Sequence, residues 1–96
     1  MRKSNTQPLG EIIQEYLEAL KINKKIKEVS IINQWEEIIG TAIAKRTDRL
    51  VIKNKILFIY MNSSVARNEL MMIRDGLKKK LNEKAGEELI HKIVIR

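Results

Sequence analysis

Arg49-Leu50-Val51-Ile52-Lys53-Asn54-Lys55-Ile56-Leu57-Phe58-Ile59-Tyr60-Met61 is the stretch that decides the fold. Two runs rich in β-branched and aromatic residues, 49–53 and 56–61, flank the pair Asn54-Lys55. Such runs across a two-residue gap predict a β-hairpin. Lysine is a poorer second turn residue than glycine, because a type I′ turn needs positive φ there. In the second strand both alternating sets are apolar. Leu57, Ile59 and Met61 are assigned to the core, because they combine with Leu50 and Ile52 and with Ile93 and Ile95. Phe58 and Tyr60 then point outward near Val51 and Val94. Phe58 and Tyr60 are read as a partner-binding or weak homodimer contact, the basis of an alternative function as a protein-interaction module; outward aromatics on a sheet can also stack bases or lie under a helix folded over that face.

On the N-terminal side the period changes from 2 to 3.6. Leu9, Ile12, Ile13, Tyr16, Leu17 and Leu20 form one helical stripe after Pro8, with Glu11, Glu15 and Glu18 opposite. Asn23 is read as a break. A second helix is expected over 24–39, with Ile26, Val29, Ile32, Trp35 and Ile39 on its apolar side and Ile31 and Ile38 widening it. Trp35 is read as a core anchor. Gly40 suits a helix end.

On the C-terminal side Ser63 or Ser64 offers an N-cap. Ala66, Leu70, Ile73, Leu77 and Leu81 form a stripe out to about Lys84, and Gly86 ends that helix. Residues 91–96 form a last strand. The expected architecture is α+β and KH-like, α-α-β-β-α-β. Its helices pack on one face of a three-stranded sheet of order 2-1-3, all antiparallel. Residues 1–7 are expected to be a flexible arm and 8–96 a single domain.

Hydrophobic residues make up 44% of the chain, which suits a folded globule. No apolar run nears the roughly 20 residues needed to span a bilayer, and no signal peptide is evident. Cysteine is absent, which excludes disulfides and thiolate metal sites and fits a cytoplasmic setting.

The formal net charge is +7, a surplus that attracts polyanions. Residues 1–44 hold six Lys/Arg and six acids, whereas residues 45–96 hold thirteen and six. The whole excess therefore lies in the second half. Lys45, Arg46 and Arg49 bracket the start of the first strand. Lys53 and Lys55 flank the turn. Arg74, Lys78 and Lys79 lie on the third helix, Arg74 and Lys78 on one face. These eight residues are the candidate phosphate contacts, with nucleic acid as the expected partner and no membrane. The alternative is an ordinary solvated cationic surface.

Chemistry-bearing constellations are missing. His91 is the only histidine, so no second imidazole can share a metal. Glu36-Glu37 and Glu87-Glu88 are adjacent pairs whose members diverge. No glycine-rich phosphate loop is present. No catalytic residue, metal site or cofactor is expected.

Trp35-x-x-Ile38-Ile39-Gly40, Thr47, Leu57, Asn62-Ser63-Ser64-x-Ala66-x-x-Glu69-Leu70, Leu81-Asn82 and Ile93-Val94-Ile95-Arg96 together resemble the bacterial DciA-like family. The resemblance covers roughly residues 9–96. Members often carry a histidine before the threonine and a tryptophan in the serine motif, where this chain has Arg46 and Ala66. The resemblance implies a KH-like domain that binds DNA and assists loading of the replicative helicase, which would then be a partner.

Overall fold

The computed structural model describes residues 9–96. The expected arm at 1–7, and Pro8, lie outside them. The order is α1 (Leu9–Asn33), α2 (Trp35–Ile39), α3 (Thr41–Ala44), β1 (Thr47–Lys53), β2 (Ile56–Met61), α4 (Ser64–Met72), α5 (Arg74–Ala85) and β3 (Lys92–Ile95).

The hairpin forms where expected. β1 and β2 pair antiparallel, with Ile52 opposite Leu57 and Leu50 opposite Ile59. Asn54 and Lys55 both take positive φ, +52° and +65°, as the tight turn demands. Asp48 is the extra residue of a β-bulge, since Thr47 pairs with Met61 and Arg49 with Tyr60. The bulge resets the alternation. Thr47 faces the core and Arg49 the opposite side.

The sheet order differs from expectation. It is β1-β2-β3, with β3 parallel to β2, Leu57 opposite Ile93 and Ile59 opposite Ile95. The sheet is mixed, not the antiparallel 2-1-3 arrangement. A helical crossover between β2 and β3 naturally delivers a parallel neighbour. β2 is the central strand, and its being apolar on both faces fits that place.

The inward set is as expected: Leu57 and Ile59 are fully buried and Met61 nearly so. They join Ile31, Trp35, Ile38, Ala66, Leu70, Leu77, Leu81 and Ile93 in one core, with Leu50, Ile52 and Ile95 packed against it. Leu89 and Ile90, in the α5–β3 loop, are also fully buried. Each fully buried aliphatic side chain contributes about 1.5–3 kcal/mol.

Helix boundaries depart from the periodicity. α1 runs through Asn23 without a break and ends at Asn33, so the junction to α2 is Gln34. Asparagine inside a helix costs only a fraction of a kcal/mol relative to alanine, well short of what proline imposes. The core-facing residues are Ile31, Trp35 and Ile38, whereas Ile26, Val29 and Ile32 stay exposed. The third helix is two helices meeting at Ile73, which has non-helical ψ of 12° and is exposed. Ser63 is the N-cap of α4, accepting from the Ala66 N–H at 3.3 Å. Gly86 closes α5 in the left-handed conformation.

The molecule is elongated, 62 × 20 × 20 Å, with a radius of gyration of 17.8 Å. A compact chain of this length has about 13 Å. Helix α1 accounts for the difference. Its 25 residues span about 37 Å, and residues 9–23 are exposed throughout. Only its C-terminal part engages the body, through buried Ile31 and an ion pair from Lys27 to Glu87.

Candidate nucleic-acid interface

Strand alternation sorts the sheet residues into two faces. Opposite the core lie Arg49, Val51 and Lys53 of β1, Ile56, Phe58 and Tyr60 of β2, and Lys92 and Val94 of β3. The ladder continues one residue past β3: the Arg96 N–H donates to the Ile59 carbonyl and the Met61 N–H to the Arg96 carbonyl, both at 2.8 Å. Arg96 therefore joins the outer face.

Two guanidinium–ring contacts organise that face. The Arg49 guanidinium lies 5.2 Å from the Tyr60 ring centroid, and that of Arg96 lies 5.5 Å from the Phe58 centroid. Both distances suit cation–π attraction. Phe58 and Tyr60 are half-buried and outside the hydrophobic core. Lys53 and Lys92 are exposed and flank Ile56 at the hairpin end. The result is a flat aromatic centre with cations at both ends.

β3 is an edge strand, and Lys92 carries the cationic surface around it. Lys92 also lines a shallow groove with Arg74, Asp75, Lys78, His91 and Ile93. Lys78 Nζ donates there to the His91 carbonyl at 3.4 Å.

The eight sequence-nominated cations do not form one patch. Arg49 and Lys53 stand on the outer sheet face, and Arg74 and Lys78 in the adjoining groove. Lys45 and Arg46 precede β1, at the end of that strand away from the turn. Arg46 lines a different groove with Ser63, Val65 and Glu69. Lys55 lies 3.9 Å from Glu88, and Lys78 and Lys79 both line a groove with Glu83, Glu87 and Glu88. Glu88 thus offsets Lys55.

Sequence reasoning missed Lys92 and Arg96. The signal was present: once Ile93 and Ile95 face the core, their neighbours face away. The Glu87 carboxyl is held below the ordinary glutamate range, first by the hydrogen bond from Lys27 and then by that ammonium's charge. No cluster of His, Asp or Glu suited to a metal occurs among the described residues. None of their helices is long and apolar enough to cross a membrane.

The family model "Dna[CI] antecedent, DciA" matches residues 8–95. The chain belongs to the DciA family. A curated relative, a UPF0232 protein of Corynebacterium glutamicum (strain R), is 28% identical over 89 residues. That alignment covers 93% of this DciA-family chain and 50% of the relative, so the chain spans about half the relative's length.

The residues that carried the resemblance are structural here. Buried Trp35 donates its indole N–H to Thr47 Oγ1 at 3.1 Å, and the Thr47 hydroxyl lies 2.9 Å from the Ile43 carbonyl, to which it donates. Asn62 Nδ2 donates to Asp48 Oδ1 at 2.7 Å, holding the bulge. Asn82 Nδ2 donates to the Ile90 carbonyl at 2.9 Å, and its Oδ1 accepts from the Ile90 N–H at 2.8 Å. The DciA signature thus builds the domain, and it reaches the cationic face only at Val94 and Arg96.

Proposed function

We propose that this chain is a non-enzymatic adaptor that binds single-stranded nucleic acid, DNA in particular, on the outer face of its sheet. The observation that carries the reading is the pair of arginine–aromatic contacts, Arg49–Tyr60 and Arg96–Phe58, in the middle of a cationic surface. Splayed bases stack on rings and guanidinium planes of this kind, and duplex bases cannot reach them. Lys53 and Lys92, with Arg74 and Lys78 around the edge, supply phosphate contacts that add affinity without reading sequence. DciA membership supports a setting in which the bound strand is handed to a replicative helicase.

Fluorescence anisotropy with labelled single-stranded and duplex DNA over a salt series tests this. Tighter binding to the single strand is expected, with an affinity that falls steeply as salt rises. Phe58→Ala should weaken it by about 1–3 kcal/mol, the value of one stacked base. Lys53→Gln should lower the salt slope by about 0.7, whereas Lys55→Gln, beside Glu88, should lower it less. Binding indifferent to salt would sink the reading. A preserved affinity in Phe58→Ala would instead assign the face to a protein contact.

A further inference from the structure

The first three turns of α1 form a surface that the rest of the chain does not use. Leu9, Ile12, Ile13, Tyr16, Leu17 and Leu20 are between 45% and 72% exposed. At 100° per residue they occupy one arc of about 140°. Ile31 falls on the same arc. The stripe is therefore the outward continuation of the helix side that enters the core, and among the described residues nothing covers it.

We infer that this stripe pairs with the same stripe of a second copy, the two α1 helices running antiparallel about a two-fold axis between Gln14 and Glu15. The spacing 9-12-13-16-17-20 reads the same in both directions. Reversal about that axis lays Leu9 against the partner's Leu20 and Ile13 against the partner's Tyr16. Ile12 and Leu17 flank these layers. The 4-3-4 spacing of Leu9, Ile13, Tyr16 and Leu20 is that of a coiled-coil seam.

Charge placement permits this pairing. Between residues 9 and 20 the only charged residues are Glu11, Glu15 and Glu18, all on the far side of the helix. The stripe and its margins (Gly10, Ala19) carry none, so two copies meet without like charges opposed.

Shape selects the direction. In the antiparallel pair the two bodies, each joined at the C-terminal part of its own α1, lie at opposite ends of the paired helices. A parallel pair would bring two bodies to one end and drive them together. The six stripe residues are each 45–72% exposed, so their apolar surface is available to a partner.

The test uses the 96-residue chain in light scattering and sedimentation up to about 100 μM, a range in which a micromolar association is visible. A mass of two chains is expected, and Ile13→Glu should return it to one while Trp35 fluorescence, a reporter of the core, is unchanged. Cross-linking fixes the register, because the chain has no native cysteine. The double variant Leu9→Cys, Leu20→Cys should oxidise to a covalent dimer, and each single variant should not. A strictly monomeric wild type overturns the inference and leaves the stripe to a different protein. A dimer that survives Ile13→Glu overturns it too, as does efficient cross-linking of Leu9→Cys alone, which signals parallel helices.

Discussion

Thr47 and Asn82 each tie two parts of the chain together through one polar side chain. Asn82 satisfies both backbone groups of Ile90, a residue with no exposed surface. Asn82→Ala leaves a buried donor and acceptor unmade, and urea unfolding should report a loss of about 2–4 kcal/mol. Glu87 acts at the surface, and its effect depends on pH. Its folded pKa is depressed, so its contribution is present above the ordinary glutamate range and disappears as pH falls through the depressed value. Unfolding midpoints of wild type and Glu87→Gln should therefore differ at neutral pH and converge in acid. These roles were only partly legible in the sequence. Trp35 as an anchor and serine as a cap follow from residue type and spacing. The Trp35–Thr47 and Asn82–Ile90 bonds join residues that no local pattern connects.

At the scale of elements, the hairpin was readable because its pattern is local and its turn is two residues long. Lys55 at positive φ is the one misfit, an L-residue held where glycine rests more easily. Lys55→Gly should raise stability by about 0.5–1 kcal/mol in thermal unfolding, despite losing the exposed Glu88 contact. The placement of β3 was not readable from inward-facing residues, because Leu50 and Ile52 offer the same apolar face as Leu57 and Ile59. The outer positions could have decided it. β1 shows Arg49 and Lys53 there, and a bulge at Asp48, as edge strands do; β2 shows Phe58 and Tyr60, as a central strand does. The breaks at Gln34 and Ile73 carry no proline or glycine, so periodicity passed through them.

For the molecule as a whole, composition located the positive charge in residues 45–96, and the fold then divided it. Some cations gather on the outer sheet face and its edge, while Lys55 is offset by Glu88. Composition could not show that division, because Lys92 and Arg96 reach the face through a strand distant in sequence. That same strand closes the core. A chain ending at Ile90 would uncover Leu57 and Ile59 along one edge and lose buried Ile93. It should show no cooperative unfolding transition in circular dichroism, where residues 1–96 are expected to show one.

The parallel pairing of β2 with β3 also sets a timetable. Leu57 meets Ile93, thirty-six positions later, across α4 and α5. A hairpin closes within about 1–10 μs of its residues becoming available. Ribosomes add about 5–20 residues per second, so β3 follows β2 by about two to seven seconds. During that interval the strand destined for the centre of the sheet is an edge, with its apolar faces open to any neighbouring nascent chain. The domain is therefore most vulnerable to misassembly just before its synthesis reaches residue 96.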